Sequence, residues 1–204
     1  WDESEKALLN ALVKQNLLYT LNKGEGAFYG PKLEFVLRDA IGRDWQLGTL
    51  QVDLNLPERL NAHYISKDGK KRHVVMLHRA LFGSIERFLG ILLEHYHGNM
   101  PVWLAPIQVA VITVTDKTSD YAQDIVKILK KNSVRYLIDL DNEKVTYKIR
   151  RHSLAKIPII LVLGLREKEN NLVSVRKLGN KYPEVLELSD FVDKLLDEIK
   201  QKRS

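Results

Sequence analysis

A run of seven residues, IPIILVL at positions 157–163, constrains the fold more than any other feature of the sequence. It is almost purely apolar and far shorter than the ~18 residues of a membrane-spanning helix, so it predicts a strand covered on both faces of its sheet. Nearby segments alternate in type, with apolar strands at 109–115, 134–140 and 172–178 and amphipathic helices at 118–131 and 143–155. Ser189 is predicted to cap a last helix. This alternation indicates a layered α/β domain with a mostly parallel sheet.

The residues before position 100 follow a different pattern. Asp2 is predicted to cap an amphipathic helix over 3–17. The other predicted elements are strands at 32–37, 45–56 and 74–77, turns at 42–44 and 67–70, and a helix at 83–97. The first two strands are separated by one short turn, which predicts an antiparallel hairpin. These elements contain more apolar sequence than their sheet can bury. We therefore expect them to be the end of a larger antiparallel α+β domain.

Two prolines, Pro101 and Pro106, disfavour a continuous helix or central strand between the two patterns. This joint predicts one domain over residues 1–105 and another over residues 106–204. The first contains 13 Lys+Arg and 12 Asp+Glu, and the second contains 19 and 14, a balance of +5. A basic domain fits a surface that binds phosphates, although a solvated lysine-rich surface has the same composition.

Composition excludes several classes of site. The sequence contains no cysteine, so it has neither a disulfide nor a thiolate metal site, and a cytoplasmic location is expected. No apolar run is long enough to span a membrane. The chain begins at Trp1 with neither a basic start nor an apolar stretch behind it. We therefore expect no signal peptide on this chain and interpret it as part of a longer protein.

The segment GEGAFYGPK, at 24–32, is the first that favours a ligand. Its glycines let a ligand approach the backbone, while Tyr29 offers a hydroxyl and Lys32 a cation. A glycine-rich segment before a strand is also typical of an ordinary turn.

The segment WQLGTLQVD, at 45–53, places polar residues on one face of a predicted strand. Gln51 shares that face with Thr49 and Asp53, because alternate residues of a strand point the same way. The face would border either solvent or an aqueous ligand pocket. Gln46 falls on the opposite face unless a bulge near Gly48 changes the register.

The segment HRALFGSIERF, at 78–88, leads from a predicted strand into a helix. Ser84 is a candidate N-cap, and Arg87, in the first turn, would suit a phosphate. His78 would be either a metal ligand or a core histidine with an internal partner.

Polar clusters at 142–144 and 166–168, with Arg176, follow or border strands of the second half. Asn, Glu and Arg are side chains that read the edges of bases, although they are also common in charged loops.

In order and spacing, the segments at 24–32, 46–53 and 78–88 closely resemble the last third of the catalytic domain of threonyl-tRNA synthetases. GSIERF at 83–88 resembles motif 3 of class II synthetases, and WLAPIQV at 103–109 resembles the join to a class IIa anticodon-binding domain. The histidine before motif 3, here His78, makes the chain resemble the threonyl synthetases rather than the prolyl, histidyl or glycyl ones. The resemblance implies the end of a class II catalytic domain followed by an anticodon-binding domain.

The resemblance also implies a role for individual residues of the catalytic part. Arg87 would stack on the adenine of ATP, and Gln46 would contact the nucleotide. Tyr29 and Gln51 would line the threonine pocket, with Lys32 near the reacting groups. His78 would be one of three protein ligands of a zinc ion that holds the amino and hydroxyl groups of threonine. Mg²⁺ would accompany ATP.

In the anticodon-binding part, the residues implied to read anticodon bases are Asn142, Glu143, Glu167 and Arg176. Lys156 lies where a basic contact is expected, although a lysine cannot make the bidentate contact of an arginine. The implied partners are threonine tRNA, threonine, ATP and a second copy of the full protein in a homodimer.

The chain also departs from the family pattern. A cysteine and a second histidine of the zinc site, and an earlier ATP-binding arginine, would have to come from residues before Trp1. We therefore predict that this polypeptide alone neither activates threonine nor holds zinc tightly. An alternative interpretation is a non-catalytic RNA-binding module derived from a synthetase, although such a module would not need to keep the catalytic set from Tyr29 to Arg87.

Overall fold

The computed structural model describes residues 1–203 and divides the chain into two compact units, residues 1–95 and 96–204. No helix among the described residues has the length and apolar character that crossing a bilayer requires. The fold predicted from the sequence, an antiparallel α+β portion followed by an α/β domain, is confirmed.

The first unit contains a three-stranded antiparallel sheet in the order β1-β2-β5 and a separate two-stranded hairpin. Its helices are α1 (Asp2–Lys14), α2 (Asn55–Arg59) and α3 (Ile85–His95), and its strands are β1 (Lys32–Arg38), β2 (Asp44–Asp53), β3 (His63–Ile65), β4 (Lys71–His73) and β5 (Met76–Ala80). The predicted hairpin of the first two strands is present as β1 and β2.

Three details of the predicted first unit are wrong. Asp2 does not cap α1, since it lies inside the helix and Trp1 occupies the N-cap position without a side-chain hydrogen bond. The strand predicted to continue to residue 56 ends at Asp53. There the Asp53 carboxylate accepts the backbone N–H groups of Asn55 (2.9 Å) and Leu56 (3.0 Å), which turns the chain into α2. The strand predicted at 74–77 is displaced to β5.

A β-bulge in β2 determines which residues share a face of the sheet. Phe35 pairs with Gly48, whereas the next residue of β1, Val36, pairs with Gln46. Leu47 is therefore the extra residue of the bulge. It lies one position before Gly48, near which the sequence allowed a bulge. Because directly paired residues point to the same side, the bulge moves Gln46 onto the face that also contains Thr49.

The second unit is built on a five-stranded mixed sheet in the order β10-β9-β8-β6-β7. Its strands are β6 (Val109–Thr113), β7 (Tyr136–Asp139), β8 (Ile159–Leu163), β9 (Leu172–Lys177) and β10 (Glu184–Glu187), and its helices are α4 (Ser119–Lys131), α5 (Val145–Leu154), α6 (Leu165–Glu169) and α7 (Leu188–Lys200). β6 pairs in parallel with β7 and β8, while β9 is antiparallel to both β8 and β10. Four of the five strands therefore run the same way.

Both faces of this sheet are covered, as the apolar run at 157–163 predicted. One face packs on α4 and α7 through a cluster that includes Ile125, Leu161 and Phe191. The other packs on α5 through a smaller cluster that includes Ile112 and Ile160. Ser189 does not cap the last helix, because α7 begins one residue earlier and Glu187 occupies its N-cap position.

The proline-flanked joint is held within the second unit by hydrogen bonds. The buried Gln108 donates to the carbonyl of Val102 (2.8 Å), and its side-chain oxygen accepts the N–H of Arg135 (2.9 Å). The guanidinium of Arg135 donates to the carbonyls of Ala105 and Trp103.

Candidate functional site

Three of the residues chosen from the sequence form one row across the first sheet. Lys32 of β1 is paired with Gln51 of β2, and Gln51 is paired with His78 of β5. Paired residues in neighbouring antiparallel strands point to the same side, so these three side chains share one face. We use the name polar sheet face for seven polar residues on this face: Lys32, Glu34, Gln46, Thr49, Gln51, Asp53 and His78.

Tyr29 completes the group around Gln51. Its hydroxyl donates to Oε1 of Gln51 at 2.6 Å, and its ring lies 5.7 Å from the imidazole of His78. The loop can deliver Tyr29 because Gly30 sits directly against β2. A Cβ atom at Gly30 would lie 2.2 Å from the carbonyl oxygen of Val52, so only glycine allows this approach.

The two residues assigned to ATP are also close to each other. One guanidinium nitrogen of Arg87 donates to the backbone carbonyl of Gln46 at 3.2 Å. The predicted cap is confirmed, since Oγ of Ser84 accepts the N–H of Arg87 at 3.1 Å. The side chain of Gln46 donates to Glu34 at 2.9 Å, and Glu34 forms an ion pair with Lys32. Glu34 thus connects the two groups, and no motif in the sequence marks it as a site residue.

His78 is held by a buried carboxylate. Nε2 of His78 lies 2.8 Å from Oδ2 of Asp53, whose side chain is fully buried. Burial acts to raise the pKa of the Asp53 carboxyl, but hydrogen bonds from the N–H of Leu56, from His78 and from the N–H of Asn55 outweigh it and leave the pKa below its usual value. The carboxylate therefore stays ionised and fixes the orientation of the imidazole.

This arrangement fits one ligand of a metal site. With Nε2 engaged by Asp53, Nδ1 is the ring nitrogen that remains for a metal, and a carboxylate behind a histidine is the usual support of a zinc ligand. Within residues 1–203 there is no group of three or more histidine or acidic side chains placed to hold a metal ion. Among the described residues, His78 with Asp53 behind it could therefore supply one ligand of a metal site, and the other ligands are not among them.

In the second unit, the residues predicted to contact the anticodon lie in a bend, after a helix, in a short helix and on one strand. Asn142 and Glu143 lie in the bend between β7 and α5, at the carboxyl edge of the parallel strands, and both are exposed. Arg176 of β9 is paired with Ile160 of β8, so its side chain lies on the sheet face that α5 partly covers. None of these three side chains forms a hydrogen bond or ion pair with another described residue.

The other two candidates, Lys156 and Glu167, differ in whether the side chain is bonded within the unit. Lys156 follows α5, is exposed, and has a backbone φ of 59°. Glu167 lies in α6, just beyond the carboxyl end of β8, and its Oε2 accepts the N–H of Gly164 at 2.9 Å. The carboxylate of Glu167 therefore closes the start of α6, which leaves its other oxygen available to a ligand.

A buried charge cluster below the bend at Asn142 was not identified from the sequence. Lys148 is 1% exposed, and its Nζ donates to the carbonyls of Thr113 (3.1 Å) and Asp139 (3.2 Å). The carboxylate of Asp139 accepts from His152 at 2.7 Å and pairs with Arg151, which also pairs with Asp141. These contacts join the ends of β6 and β7 to α5. No pattern in the sequence distinguishes Lys148 from the exposed lysines around it.

Comparison with known proteins decides the family. The class II core domain of tRNA synthetases (G, H, P, S and T) matches residues 2–96, and an anticodon binding domain matches residues 108–198. The threonine–tRNA ligase of Wolbachia pipientis subsp. Culex pipiens (strain wPip) is 56% identical over 196 residues, which are 96% of this chain and 31% of that protein. The chain belongs to the threonyl-tRNA synthetase family. The threonine–tRNA ligase of Pelagibacter ubique (strain HTCC1062) is 54% identical over 95% of the chain and 30% of its own length.

Solved structures agree with this assignment to the threonyl-tRNA synthetases. A crystal structure of the RNA binding domain of threonyl-tRNA synthetase from Cryptosporidium parvum Iowa II has a TM-score of 0.89 and 36% identity, covering 97% of this chain and 50% of that one. A prolyl-tRNA synthetase from Cryptosporidium parvum, at 22% identity and a TM-score of 0.69, shares the fold. The chain spans slightly less than a third of the length of the threonine–tRNA ligases that it matches.

Proposed function

We propose that this chain supplies part of the ATP and threonine site, and the anticodon-binding domain, of a threonine–tRNA ligase. The observation that supports this most is the row Lys32–Gln51–His78 with Tyr29 bonded to its centre. A solvent-facing strand has no need of a fixed tyrosine and a carboxylate-supported histidine around one glutamine. A site for a small polar ligand needs such fixed groups.

On the threonine side, Tyr29 and Gln51 would line the pocket and His78 would be one of three zinc ligands. Zinc, when bound, supplies a Lewis acid for the amino and hydroxyl groups of threonine. The residues of this chain hold the pocket in shape, because Asp53 orients His78 and Tyr29 orients Gln51. A site that requires the hydroxyl rejects valine far better than an apolar pocket does, since valine leaves the buried polar groups unpaired.

On the nucleotide side, Arg87 would stack on the adenine and approach the phosphates, while Gln46 contacts the nucleotide. Activation is an in-line attack of the threonine carboxylate on the α-phosphorus of ATP. Pyrophosphate leaves with the electrons of the broken P–O bond, and Mg²⁺ would accompany ATP. Lys32 and Arg87 would offset negative charge at this step, which depends on positioning and charge stabilisation.

In the second unit, Asn142, Glu143, Glu167 and Arg176 would read anticodon bases of threonine tRNA, with Lys156 as a basic contact. The unpaired side chains of Asn142, Glu143 and Arg176 support this role. The full protein would act in the cytoplasm as a homodimer.

ATP–pyrophosphate exchange with threonine tests the proposal. We expect exchange by the full-length protein that contains this chain, no exchange above background by the 204-residue chain alone, and loss of exchange when His78 is changed to alanine in the full-length protein. Robust exchange by the chain alone would contradict its proposed share of the site. A full-length protein that binds threonine tRNA without exchange would support the alternative of a non-catalytic RNA-binding module.

A further inference from the structure

The hairpin of β3 and β4, residues 63–73, concentrates positive charge in the first unit. It contains Lys67, Lys70, Lys71 and Arg72 against a single acidic residue, Asp68. Residues 1–95 contain 13 basic and 12 acidic residues, so the rest of that unit has 9 and 11. The hairpin is therefore a basic element on a unit that is otherwise slightly acidic. We call it the basic hairpin.

Hydrogen bonds fix the tip of the basic hairpin. The N–H of Ser66 donates to the carbonyl of Lys70 at 2.9 Å, and the N–H of Gly69 donates to the carbonyl of Ser66 at 2.8 Å. Gly69 has a φ of 75°, which glycine adopts at little cost in such a turn. The carboxylate of Asp68 is occupied locally by the Ser66 hydroxyl and by Arg72.

Three cations of the basic hairpin remain without a counter-ion. Lys67, Lys70 and Lys71 are exposed, and none of them forms an ion pair with another residue of the described chain. The hairpin also exposes an aromatic ring, since Tyr64 is 50% exposed and stands opposite Arg72. Unpaired cations beside an exposed aromatic ring are the usual composition of a surface that binds nucleic acid.

We propose that the basic hairpin contacts the phosphate backbone of the tRNA, at a surface of the catalytic unit separate from the anticodon-binding domain. The proposal rests on the proposed function for its choice of polyanion. Lysines suit phosphates as mobile point charges, and backbone contacts position an RNA without reading its sequence. The basic hairpin therefore adds affinity for tRNA and leaves the preference for the anticodon unchanged.

Binding of the full-length protein to a threonine tRNA transcript across a salt series tests this. The variant Lys70→Gln/Lys71→Gln removes two hairpin charges. Its matched control, Lys6→Gln/Lys14→Gln, removes two exposed charges of α1 that likewise have no ion pair among residues 1–203. For the hairpin variant we expect Kd to rise about 3- to 10-fold. The plot of log association constant against log salt concentration should also become less steep, by about 1 to 2 in the slope. The control should change Kd less than about 2-fold. Lys70→Arg/Lys71→Arg, which keeps the charge, should restore binding.

The same titrations with an anticodon-swapped transcript separate the two proposals. Equal Kd and slope for the hairpin variant and its control would overturn the role of the basic hairpin, even if the anticodon is still discriminated. A hairpin variant that alters the ratio between the two transcripts would also overturn it. A wild-type protein that does not discriminate the transcripts would contradict the proposed function, while the comparison of the two lysine variants would still report on the basic hairpin.

Discussion

Nε2 of His78 lies 2.8 Å from Oδ2 of the fully buried Asp53, whose other oxygen accepts the first backbone N–H groups of α2. Asp53 therefore ties the orientation of one strand residue to the start of a helix. The imidazole cannot turn freely, and Nδ1 remains as its free nitrogen.

Replacing Asp53 with asparagine should weaken zinc binding by the full-length protein. Asparagine can still accept the N–H groups of α2, but it lacks the charge that holds His78. Outer-shell carboxylates of this kind typically contribute about 10- to 100-fold to metal affinity. Zinc content after dialysis against graded chelator measures the effect. Asp68→Asn, on the exposed hairpin, should retain zinc as the wild type does. Unchanged zinc retention by Asp53→Asn would contradict the role given to this pair.

Substitutions at Gln51 and at Gln46 should affect different substrates, threonine for Gln51 and ATP for Gln46. Each offers hydrogen bonds of about 0.5–1.5 kcal/mol, which correspond to roughly 3- to 10-fold in binding. Gln51→Ala should raise the KM for threonine with little effect on ATP, because Gln51 is at the centre of the row with His78. Gln46→Ala should raise the KM for ATP, because Gln46 is next to Arg87. Steady-state exchange kinetics with each substrate varied in turn would test this, and the reverse pattern would contradict the assignment.

Gly30 should tolerate no side chain. A Cβ atom there would meet the Val52 carbonyl oxygen at 2.2 Å, whereas one at Gly90 in α3 would meet nothing within 4 Å. Gly30→Ala should destabilise the first unit by about 1–3 kcal/mol, and Gly90→Ala should stabilise it by up to about 1 kcal/mol. Denaturant unfolding of both variants measures the difference. Equal stability of the two variants would mean that the loop does not rest against β2.

Asp139 should dominate the acid stability of the second unit. Burial acts to raise its pKa, but hydrogen bonds from His152, from Arg151 and from the N–H of Asp141, with the charge of Lys148, leave it below its usual value. A lowered pKa means that the stabilisation is present above the unfolded-state pKa of about 3.9 and is lost as pH falls through the folded-state pKa.

Nζ of the buried Lys148 lies 3.7 Å from Oδ1 of the Asp139 carboxylate. Asp139→Asn should therefore cost about 3–5 kcal/mol at neutral pH, since it leaves Lys148 buried without its charge partner. It should also reduce the loss of stability below about pH 4. The exposed neighbour gives a control, because Asp141→Asn should change stability by less than about 1 kcal/mol. Unfolding of the second unit followed at several pH values would show both effects. Similar behaviour of the two variants would contradict a central role for Asp139.

The strands and helices of the second unit were largely predictable, because a strand such as β8 is apolar throughout and the helices that cover it are amphipathic. In the first unit, the residues at which strands begin and end were harder to predict. The boundary of β2 depends on Asp53, whose carboxylate binds backbone groups two and three residues later, and hydrophobic periodicity does not report such a bond. The displacement of β5 has a similar origin, since only pairing with β2 fixes its register.

The composition of the polar sheet face could be predicted only in part from the sequence. Alternation placed Gln51 with Asp53, but the position of Gln46 depended on a bulge that the sequence left undecided. The bulge at Leu47 resolved it. Glu34 and Lys148 could not be singled out, because burial and ion pairing of one charged residue depend on contacts between distant segments. The predicted roles of all the site residues remain predictions, both for the catalytic set from Tyr29 to Arg87 and for the anticodon residues.

The most direct test of the account is binding of this chain to a threonine tRNA transcript and to the same transcript with a swapped anticodon, across a salt series. We expect the native anticodon to be preferred by at least about 1 kcal/mol for each altered base, and Asn142→Ala and Arg176→Ala to reduce the preference. If both transcripts bind equally and weaken together as salt rises, the second unit is only a phosphate-binding surface, and the assignment of Asn142, Glu143 and Arg176 is wrong.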